Sequence, residues 1–141
     1  MADQDDTPSW VARILAWPPF AVLARIALVS VFPIGGFSKL FDFAGAIAEQ
    51  EHFGLHPGWL WACLAIIIEI GCSALVIAGR WVWLGAGGLG VLTAVAMLVA
   101  DPFWSQAGHE AFLALTGFLE RLGLIAGLVL VAMTAITPRP A

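Results

Sequence analysis

The sequence predicts an all-α integral membrane protein: an antiparallel up-down four-helix bundle with a short surface helix after the first span. Three observations carry that reading. Of 141 residues, 61% are hydrophobic and 11% charged, against about 45–50% and about 25% in soluble globular domains. Four windows of mostly apolar residues are long enough to cross a bilayer, which takes about 20 residues. The polar connectors between them are short, and short connectors make consecutive helices pack antiparallel. Ten acidic and six basic residues leave a net charge of −4. The basic residues are scattered singly, and a nucleic-acid partner would require a basic patch. The lipid bilayer is the partner the composition implies.

The chain divides into a polar tail over residues 1–16, a membrane domain over 17–137 and a second tail over 138–141. The first tail is acidic at Asp3, Asp5 and Asp6, where a secretory signal would be basic. The first apolar run is therefore read as a span of the mature protein.

Span one covers residues 19–40 and carries Arg25 and Lys39. Pro33 followed by Gly35 and Gly36 predicts a kink late in it, because proline removes a backbone hydrogen bond. The connector over 41–58 contains a short helix, residues 42–52, with Phe43, Ala46, Ile47 and Ala48 as its apolar residues. Span two covers 59–79 and carries Glu69. A tight turn at Gly79-Arg80 pairs it with span three, 81–100, which has no charge. Ala86, Gly90 and Ala94 form a stripe of small residues that lets helix backbones approach closely. A connector over 101–115 leads to span four, 116–136, with Glu120 and Arg121 near its start.

Basic residues in short loops mark the cytoplasmic side. Arg13, Arg80 and Arg139 fall on one side, and Lys39 lies near the membrane edge on the other, with Asp42, Glu49, Glu51, Asp101 and Glu110. Both termini are thus expected in the cytoplasm of a bacterial inner membrane. Trp17, Trp59, Trp61, Trp81, Trp83 and Trp104 sit near span ends, where aromatic belts form.

Glu69 is the most informative residue. It lies about midway along span two, and an ionisable side chain at that depth faces the bundle or a cavity and needs compensation. The bland reading is a packing carboxyl; the functional one is a ligand, proton or quinone site. Arg25 lies roughly 7 Å to the cytoplasmic side of the middle of span one, at 1.5 Å per residue. Arg121 lies a similar distance to the outer side on span four. A carboxylate flanked by two guanidinium groups is expected, with Ser73 and Thr93 adding hydroxyls. The alternative for both arginines is snorkelling to the nearer interface.

Other chemistries find no support. Cys63 and Cys72 are nine residues apart, a rise of about 13.5 Å on one helix, too far for a disulfide, which needs roughly 7 Å or less between Cα atoms. His52 and His56 have a metal-compatible spacing, but Gly54 and Pro57 make that stretch a poor helix, and interfacial histidines are expected. There is no phosphate loop, nucleophile motif or dinucleotide fingerprint. No metal and no covalently bound cofactor is expected.

Several motifs in order resemble those of the DoxX family of small four-span membrane proteins, from about residue 23 to 132. Arg25 followed by Gly36-Phe37-Ser38-Lys39-Leu40 is similar to the end of that family's first helix. Glu69-Ile70-Gly71 with a later Gly79 is similar to its second. Pro102-Phe103-Trp104 follows the third, and Phe118-Leu119 leads into Leu122 to Ala126 in the fourth. The chain differs where the family often has a histidine before Phe-Trp, here Asp101-Pro102, and Lys-Asn after Phe-Leu, here Glu120-Arg121.

The resemblance implies Gly36, Lys39, Asp101, Phe103 and Trp104 as outer-side motif residues. It implies a membrane subunit or anchor of a quinone-coupled or oxidative-stress-related redox complex, with a redox-protein partner and a quinone as the candidate ligand. The residues alone leave two other classes open: a solute or proton carrier that relays through Glu69, and a structural or assembly protein without a ligand. A homo-oligomer is compatible with each.

Overall fold

The computed structural model describes residues 6–100 and 103–136. Asp101, Pro102 and Arg139 lie outside them. The described residues form helices and no strands. In chain order these are α1 (Ser9–Leu15), α2 (Pro18–Val29), α3 (Val31–Phe41), α4 (Phe43–His52) and α5 (Gly58–Ile67). A π-helical segment (Ile68–Cys72) then leads into α6 (Ser73–Ala78). The chain continues through α7 (Val82–Ala100), a short 3-10 turn (Phe103–Ser105) and α8 (Gly108–Ile136).

Three stretches are long and apolar enough to cross a membrane: Gly58–Ala78, the helix that starts at Val82, and Gly108–Ile136. Two further helix pairs are bent at a break, α1 with α2 by 63° and α3 with α4 by 108°, which raises the number of apolar spans to at most five.

The first predicted span is divided into α2 and α3 at Ser30. Pro33 has no N–H to return to the carbonyl of Val29, so the ladder is interrupted in the turn before the proline. The break therefore falls nearer the middle of the span than its end. The short helix after the span is present as α4, and it begins where Asp42 caps it: the Gly45 N–H donates to Asp42 Oδ1 at 3.1 Å. The polar tail also holds a helix, α1, that the sequence reading did not separate from it.

A core of Val29, Phe32, Val76, Ala86, Leu89 and Leu128 joins α2, α3, α6, α7 and α8. Outside it, large apolar side chains such as Leu23, Ile67, Val91, Leu98 and Leu130 stay exposed. So many exposed large apolar side chains suit hydrocarbon rather than water. Trp17, Trp59, Trp61, Trp81, Trp83 and Trp104 are all exposed near helix ends.

The small-residue stripe of α7 is not the one expected. A Cβ on Gly90 would meet nothing within 4 Å, whereas on Gly85 it would lie 2.7 Å from the Cys72 carbonyl oxygen and on Gly88 2.6 Å from Cys72 Sγ. The turn into α7 passes through two left-handed residues, Gly79 with φ of 73° and Trp81 with φ of 54°, and Gly85 and Gly88 face Cys72 of the preceding helical segment. Of the predicted stripe, Ala86 is buried in the core and Gly90 has open space beside it.

Candidate ligand cavity and its ion pair

The site is assembled where α3 meets the π-helical segment. Gly35, Gly36 and Lys39 fall on one face of α3, at helical spacing. A Cβ on Gly36 would lie 2.7 Å from Ile70 Cγ1, and one on Gly35 would lie 3.4 Å from Glu69 Oε1. Two glycines thus let the backbone of α3 approach the segment that carries Glu69. One turn further, Lys39 Nζ donates to both carboxylate oxygens of Glu69, at 3.0 and 3.1 Å. The pair is mostly enclosed, with side-chain exposures of 19% for Lys39 and 12% for Glu69.

The π-helical turn shapes this pair. Widening the helix at Ile68–Cys72 displaces the backbone ladder, and such turns are often found at functional sites. The Ser73 hydroxyl donates to the Glu69 carbonyl oxygen. Ser73 thus binds the backbone of Glu69 and not its carboxylate. Nothing in the residue pattern announces a π-turn, and residues 59–79 read as one regular helix.

Beside the pair lies a cavity of about 720 Å³. Its polar lining includes Lys39, Glu69, Thr93, Glu120 and Arg121, with Glu49 and Gln50 of α4. Its apolar walls come from residues such as Val31, Phe32, Val91, Val95 and Val99. Thr93 donates its hydroxyl to the Leu89 carbonyl at 2.7 Å and keeps its oxygen lone pairs as acceptors. Glu69, Thr93 and Arg121 are therefore brought to one cavity, as expected.

Arg25 is not part of it. A Cβ on Gly79 would lie 3.6 Å from Arg25 Nη2, which places the guanidinium at the C-terminal end of α6. Residue 25 stands by 79 and residue 35 by 69, one antiparallel register. Ten residues of helix separate the two levels, about 15 Å at 1.5 Å per residue. The expected Arg25–Glu69 pair is thus replaced by Lys39–Glu69. A cation at a helix C-terminus is favourable to the helix dipole, which accounts for Arg25 where it is. Its Nε is buried without a hydrogen-bond partner.

The sequence places Lys39 near the membrane edge, but the ends of α3 and α5 do not lie level. The start of α5 packs against α4: a Cβ on Gly58 would lie 2.7 Å from both Glu51 Cγ and the Ile47 carbonyl oxygen. The first turns of α5 overhang the end of α3, and Lys39 meets the middle of the second span. The signal in the sequence was the short helix itself, which must occupy space above α3.

The motif residues Phe103 and Trp104 form an aromatic cluster with Phe118 of α8. Phe103 stands edge-on to Phe118 with centroids 5.2 Å apart, and Trp104 to Phe118 at 6.3 Å. They fix the turn before α8 and do not line the cavity. Cys63 and Cys72 are free thiols. No group of three or more His, Cys, Asp or Glu able to hold a metal ion occurs among the described residues.

An all-helical integral membrane protein with charged groups lining a largely apolar cavity is what fold and site define. The DoxX family model matches residues 20–102, and the chain belongs to the DoxX family. It is similar to the inner membrane protein YphA of Escherichia coli (strain K12), at 24% identity over 119 residues that cover 84% of this chain and 85% of that one. No solved structure matches it.

Proposed function

We propose that this chain is an inner-membrane subunit or anchor of a redox complex and that its cavity takes a membrane quinone. In this reading α2 with α3, the stretch Gly58–Ala78, α7 and α8 are the spans of an antiparallel up-down bundle. Helix α4 lies on the outer surface, and both termini face the cytoplasm. The register of 25 with 79 and 35 with 69 supports the antiparallel arrangement of the first two spans. The name of the Escherichia coli relative supports the inner membrane.

One observation carries the ligand reading: apolar walls and charged groups share a single cavity of about 720 Å³, within the range of about 300–1,000 Å³ usual for small-molecule sites. A quinone has an apolar ring and tail and carbonyl oxygens that only accept hydrogen bonds. Ammonium and guanidinium groups only donate, so Lys39 and Arg121 suit those oxygens. Glu69 is placed to exchange a proton with a ring oxygen when the ring is reduced or reoxidised. The electrons belong to a redox-protein partner, and the chain's own residues bind, orient and exchange protons.

Gentle extraction followed by mass spectrometry of bound lipids, quinones and proteins tests this. The expected result is a co-purifying quinone together with a redox protein. Recovery of neither contradicts the proposal. Solute or proton flux in proteoliposomes that vanishes on Glu69→Gln would establish a carrier instead.

A further inference from the structure

Helix α1 has no buried residue. Seven residues cannot hold a helix by themselves in water, where isolated helices shorter than about 12–15 residues are marginal. Some apolar surface must cover it. At 100° per residue, Trp10, Val11, Ile14 and Leu15 fall on one arc of α1, while Ser9, Ala12 and Arg13 fall on the other; Trp17 stands in extended backbone between α1 and α2. Trp10, Ile14, Leu15 and Trp17 are all exposed. The helix is bent by 63° from α2, and α2 starts at once with Pro18 and the exposed apolar Phe20, Val22, Leu23 and Ile26.

The exposed apolar residues of α2 thus follow those of α1 directly along the chain, across a bend of 63° that turns α1 toward the membrane plane. We propose that α1 is an interfacial anchor that lies in the surface of the bilayer. Its occupant is the boundary between headgroups and acyl chains. Trp10 and Trp17 suit that level, since indole rings are enriched there, and helices of this kind sink about 5–10 Å into it. Arg13 on the opposite arc stays with water and headgroups. The acidic residues just ahead, Asp3, Asp5 and Asp6, disfavour an electrostatic hold on anionic lipid, so the attachment is apolar and indifferent to salt. The anchor fixes the angle and depth at which the first span enters the bilayer.

The test uses the full chain in phosphatidylcholine nanodiscs that hold one copy. With Cys63 and Cys72 replaced by alanine, nitroxide labels are placed singly at Trp10, Ile14, Ser9 and Ala12. Collision rates are then measured with oxygen, which dissolves in lipid, and with a water-soluble nickel chelate. Labels at Trp10 and Ile14 should meet oxygen and be shielded from nickel, and those at Ser9 and Ala12 should show the reverse. Equal nickel access at all four positions, or shielding of Ile14 from both reagents by protein, would overturn the proposal. A second measurement needs no cysteine replacement. Trypsin should leave Arg13 uncut in the nanodisc and cut it after Trp10→Asp, which leaves the Arg13–Ile14 bond unchanged; equal cleavage of the two chains would also overturn it.

Discussion

At the residue scale the central contact is Lys39 with Glu69. An ionisable side chain at mid-span is held in place by a partner whose hydrogen bonds satisfy it on both oxygens. Breaking such a pair strands the remaining charge in a poorly solvated place, which costs about 3–5 kcal/mol in buried pairs. Lys39→Met or Glu69→Leu alone should each lower the stability of the detergent-extracted protein by about 3 kcal/mol, the low end of that range, because the cavity admits some solvent. Lys39→Met combined with Glu69→Leu should recover most of the loss. A thermal-unfolding double-mutant cycle reads this directly, and additive losses would mean that the two side chains act apart. The same cycle on Arg25 and Glu69 should give coupling no larger than about 0.5 kcal/mol, since distant sites add.

Glycine does two different jobs on one element, and α7 separates them. Gly85 faces the Cys72 carbonyl, a backbone atom that cannot swing aside. Gly85→Ala should therefore push α7 off the second span and destabilise by about 1–3 kcal/mol, as overpacking does. Gly90 has open space around it, and Gly90→Ala should be neutral or stabilise by up to about 1 kcal/mol, because alanine is the better helix former. The pair of variants, compared by thermal unfolding, distinguishes the observed packing face from the one that spacing alone suggests. Small residues every fourth position identify a helix that can pack closely, but not which of its faces does. That depends on how the turn into α7 sets the helix against the preceding segment, which no local pattern encodes. Helix α4 was legible from its own apolar residues, Phe43, Ala46, Ile47 and Ala48. The π-helical turn was not, because Ile-Glu-Ile-Gly-Cys reads as ordinary helix until α3 packs on it.

For the whole molecule, membrane class and helical content were legible in composition and window length. The site was legible in part. Glu69, Thr93 and Arg121 converge as expected because their depths along separate spans could be counted from the sequence. Lys39 takes the place expected of Arg25 because the start of α5 packs on α4 and brings the middle of the second span to the end of α3. The proposed orientation places α4 and the start of α8 outside the cell and the α6–α7 turn inside. Single cysteines at Glu49 and Gly108 should then react with an impermeant maleimide added to intact cells, and one at Arg80 should react only after lysis. Labelling of Arg80 in intact cells would reverse the orientation while leaving the cavity where it is.

The central claim is that a quinone sits in the cavity on the Lys39–Glu69 floor, and Trp61, which lines the cavity, offers a signal for it. The purified protein is titrated with a short-chain quinone, and quenching of tryptophan fluorescence is followed with Trp61→Phe as the reference. The account predicts saturable quenching that depends on Trp61. It also predicts at least about tenfold weaker binding to the chain with both Lys39→Met and Glu69→Leu, since loss of one charged hydrogen bond is worth about 1.5–3 kcal/mol. Quenching that does not saturate, or an affinity unchanged in a double variant that still unfolds cooperatively, would contradict it.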